Sequence, residues 1–287
     1  MAPERAPTVR RRKLAGELRR LRELSEKTIE EIAEILGWSI AKVSRIETAR
    51  VGITSPDLTK LLDLYEVDSE RRVTLHALGR TARTRGWWDA YADSLPSDYA
   101  TYIQLEADTA FIRGYDALTV NGLLQTEEYA EEIIREALMD LSPPAEVQRR
   151  VEVRMTRQKL LTREESPLRF QTVIDEVVLS RLIGSSQVMK AQCHKILEIA
   201  DLPNVSIQIL PVSSGAHPAS AGTFSVMHFR EPHDPDVVYI ETMTSSLYVE
   251  RDTEIHWYTL TLDRLRAAAL SAEESKVFIA RAAKRFS

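Results

Sequence analysis

The side chains that could do covalent or metal chemistry are few and poorly spaced. His217, His228 and His233, with Asp234 and Asp236, come closest to a metal-ligand set, but their intervals match no ligand pattern. His228 falls inside an alternating apolar run that reads as a strand, and His233-Asp234-Pro235-Asp236 has the composition of an exposed turn. Asp175 and Glu176 follow a strand, where such a pair either serves acid–base chemistry or caps the helix that comes next. Ser39-x-x-Lys42 matches the spacing of a serine acyl enzyme but has no companion segment. There is no glycine-rich phosphate loop, no HExxH and no GxSxG. No catalytic residue, metal or cofactor is expected. The loop from Ser213 to Gly222, with Ser213, Ser214 and His217, holds two glycines and a proline beside strand ends. It reads equally as the rim of a ligand or partner site and as a long hairpin connection.

The single cysteine, Cys193, excludes an internal disulfide framework and any all-cysteine metal site, and fits a reducing cytosol. It shares one helix face with Met189, Ile196, Leu197 and Ala200, so it reads as a small buried apolar residue. No apolar run approaches the roughly 20 residues that a bilayer requires. The basic start, MAPERAPTVRRRK, has no apolar segment behind it and is not a secretory signal. Charge is unevenly placed. Residues 1–85 carry 18 Lys and Arg against 13 Asp and Glu, a net of +5, which leaves −10 on the rest of a chain whose total is −5. A basic front and an acidic body point to two segments that meet different partners.

Residues 1–9 read as a disordered tail. Arg10, Arg11 and Arg12 then lead into a helix marked by Leu14, Leu18 and Leu21, and serve either as an arm touching phosphate or as a solubilising cluster. Thr28 with Glu31 forms a capping box, Ile32 and Leu36 turn inward, and Gly37 supplies a sharp turn. Ser39 caps the following helix, whose Val43 and Ile46 are buried, while small Ala33 lets the two helices cross closely. This is the helix-turn-helix pattern. Ser55-Pro56-Asp57 opens a fourth helix with Ser55 as its cap, Leu58, Leu61, Leu62 and Tyr65 form its apolar face, and a fifth helix spans about Ser69 to Thr84.

Five short helices with this motif at positions two and three resemble the lambda-repressor-like, XRE type of DNA-binding domain, most closely in SIAKVSRIETAR. The resemblance implies that Ile40, Ala41, Ser44 and Arg45 meet base edges of double-stranded DNA, with Ser39, Lys42, Thr48 and Arg50 nearer phosphates. Arg45, long, planar and able to donate twice, is the best candidate for a guanine contact. Where the family often places glutamine at the start of the second helix, this chain has Ile29.

Gly86-Trp87-Trp88 reads as a hinge, so the expected organisation is a helix-turn-helix domain over 10–85 and an α+β domain over 86–287. Helices are expected at Tyr102–Tyr115, Thr126–Leu138 and Pro143–Leu161. Strands are expected at 168–174, 205–209, 223–229, 237–241 and 247–249, giving a small mixed or antiparallel sheet of four or five strands. Two last helices cover about 251–270 and 272–284, the second opened by a Ser271–Glu274 capping box. The segments GWWDAY, LEADTAFIRGYDALTVNGLLQTEEYA, RRVEVRMTRQ, LPNVSIQILPVSSGAHPASAGTFSVMHF and RLRAAALSAEES resemble the domain fused to XRE-type modules in actinobacterial WhiJ-like regulators. That resemblance implies a cytoplasmic, antitoxin-like transcriptional regulator paired with a small acidic partner protein. A single reading helix covers few base pairs, so a homodimer is expected. The rival expectation is an interaction module that sequesters the small partner, with DNA binding serving autoregulation.

Overall fold

The computed structural model describes residues 9–81, 97–230 and 236–286. The chain forms two compact units, Met1–Leu105 and Glu106–Ser287. The expected hinge at Gly86-Trp87-Trp88, residues 1–8 of the tail expected over 1–9, the end of the fifth helix beyond Thr81, and His233, Asp234 and Pro235 lie outside the described residues, while Val9 already begins the first helix.

In the first unit α1 (Val9–Leu24), α2 (Ile29–Leu36), α3 (Ile40–Glu47), α4 (Ser55–Leu64) and α5 (Ser69–Thr81) close around one apolar centre. Leu14, Leu18 and Leu21 of α1 meet Ile32, Val43 and Ile46, while Leu58, Leu61, Leu62, Leu75 and Leu78 complete the core. Each stripe recurs at three- and four-residue intervals, which is why eight-residue helices, too short to hold alone, are stable here. Two local expectations change. The cap of α4 is Thr54, whose Oγ1 accepts from the Asp57 amide at 3.1 Å, one residue before the expected Ser55. Arg10, Arg11 and Arg12 belong to the first turns of α1 rather than to an arm preceding it.

α6 (Ser97–Asp108) leads into β1 (Thr109–Asp116). The expected helix over Tyr102–Tyr115 therefore ends at Asp108, and its second half is a strand. Then follow α7 (Glu127–Ala137), α8 (Pro144–Gln158), β2 (Arg169–Asp175), α9 (Ser186–Ala200), β3 (Val205–Leu210), β4 (Phe224–Phe229), β5 (Val237–Glu241), β6 (Ser246–Val249), α10 (Asp252–Ala268) and α11 (Ala272–Arg285). The strands build one six-stranded mixed sheet in the order β3-β2-β1-β4-β5-β6, where four or five were expected. β1, β2 and β3 run parallel, with Gly114 opposite Thr172 and Thr172 opposite Ile207. β4 is antiparallel to β1, and β5 and β6 continue the antiparallel half. α10 covers one sheet face, with Ile255, Leu262 and Leu265 on Tyr115, Val173, Phe224, Val226 and Val238.

Buried polar groups fix the segment between β1 and α7. Gln125 donates to Val120 O, Gln192 to Leu124 O and Gln158 to Gln125 O, each at 2.7 Å. Arg157 of α8 grips Glu106 with two bonds, at 2.6 and 2.7 Å, and both side chains are almost wholly out of water. Buried carbonyls need such partners, since each left unpaired costs about 1–3 kcal/mol. At the β3 edge the Ile209 amide donates to Ser275 Oγ at 2.9 Å, so the start of α11 satisfies a group the sheet leaves open.

Candidate nucleic-acid interface

α2 starts at the Thr28 capping box: Thr28 Oγ1 accepts from the Glu31 amide at 3.2 Å and Glu31 Oε2 accepts from the Thr28 amide at 2.8 Å. It stops at Gly37, whose φ of 66° and ψ of 34° lie in the left-handed region that glycine adopts cheaply. The Trp38 amide then donates back to Ala33 O at 2.8 Å, and Ser39 Oγ caps α3 by accepting from the Lys42 amide at 3.1 Å. Val43 and Ile46 point into the core and Ala33 is buried at the crossing, whereas Leu36 is only partly buried. These choices fix which side of α3 faces outward.

That side carries the expected residues. Ile40, Ala41, Arg45, Thr48 and Arg50 are exposed, and Ser44 is half-buried between them. Neither Arg45 nor Arg50 is paired with a carboxylate among the described residues, so both guanidinium groups are available to a ligand. Thr48 Oγ1 donates to Ser44 O at 2.7 Å. Ser39 accepts as a cap yet keeps its hydroxyl proton to donate. Lys42 differs from the rest. Its Nζ sits 3.0 Å from Asp57 Oδ2 and 3.8 Å from the Trp38 ring centre, so it links α3 to α4 and the turn before it reaches any ligand. Ile29 packs against the core, and Glu30 and Glu31 occupy the first turn of α2, so the beginning of α2 offers carboxylates rather than donors.

α3 is anchored from behind by a pair that sequence reading did not single out. Arg22 of α1 donates from Nε to Glu47 Oε1 at 2.8 Å and from Nη2 to Oε2 at 3.1 Å, while its Nη1 holds Lys27 O at 2.9 Å. The side chains are 12% and 5% exposed, which places the pair in low dielectric. The bond to Glu47 raises the Arg22 pKa above its ordinary value. Glu47 sits one residue after Ile46 at the inner side of the helix, and a charged residue beside a core position is the only signal that could have revealed it. Arg11 lies in a cleft with Leu14, Leu18, Ile46 and Ile53, and burial lowers its pKa.

In the second unit the expected loop residues separate. Ser213 is exposed, and Ser214 Oγ donates to Ala268 O at 3.3 Å. His217 instead joins Tyr115 and Asp175. The Tyr115 hydroxyl donates to Asp175 Oδ2 at 2.9 Å, and His217 Nε2 stands 3.4 Å from the same hydroxyl. Burial, reinforced by Asp175, pushes the Tyr115 phenol well above its usual pKa, so it stays protonated and fixed as a donor. Asp175 Oδ1 also caps the short turn over 176–179 by accepting from the Val177 amide at 3.0 Å. Thus the acid that ends β2 is a cap for the turn that follows, as one of its two readings anticipated. Beside this cluster Phe224, Ile240, Val249, Trp257 and Tyr258 line a groove of about 410 Å³. His228 Nδ1 and Asp236 Oδ2 pair at 2.7 Å, and no group of three His, Cys, Asp or Glu gathers among the described residues. Cys193 is buried, and burial pushes its thiol up to about 11.

Five helices around a capped, glycine-turned pair, followed by an α+β unit, define a helix-turn-helix protein with an appended second domain. A helix-turn-helix domain family matches residues 13–75. Residues 99–281, well over half of the chain, match the family described as a domain of unknown function, DUF5753, and the chain belongs to that family. No curated protein and no solved structure matches it.

Proposed function

We propose that the protein is a sequence-specific DNA-binding transcriptional regulator of XRE type, acting as a cytoplasmic homodimer, whose second domain senses a small partner protein or ligand. The observation that carries the reading is α3: its outer side presents Ile40, Ala41, Ser44 and Arg45, and Arg45 has no side-chain partner among the described residues. Arg45 reads a guanine edge with two parallel bonds, while Ile40 and Ala41 supply apolar contact to thymine methyl groups. Ser39, Thr48 and Arg50 hold phosphates, and Lys42 joins them at the expense of its bond to Asp57. The resemblance to actinobacterial WhiJ-like, antitoxin-like regulators supports a small acidic partner encoded nearby. The −10 balance of residues 86–287 favours instead a partner surface that is basic where it touches that domain.

The test is genome-wide mapping of bound DNA followed by titration of the recovered operator at fixed salt. Arg45→Ala is expected to lower operator affinity by about 1–3 kcal/mol and to leave non-specific binding nearly unchanged. Equal operator affinity of the two proteins would remove Arg45, and with it the recognition surface assigned here.

A further inference from the structure

The groove on α10 has a chemistry of its own. Its wall is aromatic: Phe224 from β4 meets Tyr258 edge-on at 4.9 Å between ring centres, and Trp257 stands beside them 70% exposed. Ile240 and Val249 line it from β5 and β6, and Gly222, with φ of 127°, lines it from the loop before β4. One charged residue lines the groove, Glu254. It lies three and four residues before Trp257 and Tyr258, so the carboxylate and both rings occupy one side of α10. Glu254 is exposed and has no cationic partner among the described residues. The volume falls within the roughly 300–1,000 Å³ typical of small-molecule sites.

A carboxylate sharing a groove with two electron-rich rings is an arrangement that attracts an ammonium group, through opposite charge and through the ring quadrupoles together. The apolar remainder of the groove would receive an uncharged hydrocarbon body. We infer that the groove is a binding site for a small amphiphilic organic cation, a tertiary or quaternary amine carrying an aromatic or alkyl group, with Glu254, Trp257 and Tyr258 holding the charged end. The inference rests on the reading of the second domain as the sensor and names the class of effector it takes. Neutral apolar molecules lack the partner that Glu254 demands, and anions are repelled by it.

The experiment uses the full chain and two probes, benzyl(hydroxyethyl)dimethylammonium and the neutral isostere in which carbon replaces the quaternary nitrogen. By calorimetric titration the cation is expected to bind at least about tenfold more tightly than the isostere. Glu254→Gln removes most of that preference, and Trp257→Ala weakens cation binding. Glu254 and Trp257 are exposed, so both variants are expected to melt with the wild type. Equal binding of the two probes, absence of binding by either, or a preference that survives Glu254→Gln overturns the site. Sedimentation of wild type and Trp257→Ala provides a further arm: dissociation of a dimer by Trp257→Ala would make the groove a contact between copies and overturn the small-molecule assignment. Operator titration with and without the cation separates the two claims. Binding that leaves operator affinity unchanged defeats the sensor reading and spares the site. Failure of the cation to bind, with Arg45→Ala still weakening the operator, defeats the site and spares the DNA reading.

Discussion

Two cations on α3 show how environment divides residues of the same sign. Arg45 is exposed and unpaired among the described residues, whereas Lys42 is shared between Asp57 and the Trp38 ring. Behind them Glu47 neutralises Arg22, and removing one member of a buried pair costs more than forming it contributes, because the other charge is left in low dielectric. Glu47→Ala is therefore expected to destabilise the first unit by about 3–5 kcal/mol, read as an earlier denaturant midpoint in far-ultraviolet dichroism. A loss under about 1 kcal/mol would mean that Arg22 finds water. Asp116 poses the opposite problem. It is 2% exposed, accepts from Thr172 Oγ1 at 2.6 Å and Asn121 Nδ2 at 3.3 Å, and burial raises its pKa from 3.8 to about 6. The unfolded chain releases this proton first, so the stability Asp116 contributes is complete below 3.8 and declines as pH rises to about 6. The decline amounts to about 3 kcal/mol. Asp116→Asn is expected to gain on the wild type by about that much between about pH 4 and pH 7, measured as the difference in unfolding free energy. A difference that does not change with pH would exclude Asp116 as the titrating group.

Among the elements, legibility followed burial pattern. The helix-turn-helix could be read because each boundary is written in a single residue: Thr28 starts α2, Gly37 stops it and Ser39 starts α3. Gly37→Ala places a Cβ at a φ of 66°, where nothing crowds it but the backbone is strained. A loss of about 1 kcal/mol is expected in thermal unfolding, with operator binding kept once the protein is folded. A stability equal to wild type would show that the turn relaxes to negative φ. β1 was illegible for a converse reason. It lies between β2 and β4 and is covered on both faces, so its residues do not alternate and Thr109–Asp116 continues the helical reading of α6. The other five strands, β2 to β6, lie where the sequence places them. The Tyr115–Asp175–His217 cluster is hidden in the sequence because the pairing of β1 with β2 and the return of the 211–222 loop, not sequence proximity, bring its members together. His217 was singled out from the sequence only for its loop.

At the scale of the whole molecule, an eight-residue helix with one arginine, if it reads DNA as proposed, cannot by itself select a site in a genome. Each correct base contact is worth about 1–3 kcal/mol, and the few that α3 would make on the proposed reading leave the specific and non-specific sites too close in affinity. Two copies related by a two-fold axis double the read sequence, and the two α3 helices must then meet the same face of the duplex about 34 Å apart, or a multiple of it. Helical phase follows from that geometry. Insertion of about 5 bp between the half-sites turns one of them to the far side of the duplex, and insertion of about 10 bp returns it. The expected outcome is loss of tight binding with the shorter insertion and substantial recovery with the longer, measured by titration at constant salt so that the phosphate contribution is held fixed. Indifference to both insertions would mean that each α3 binds independently and would overturn the proposed homodimer as the source of specificity.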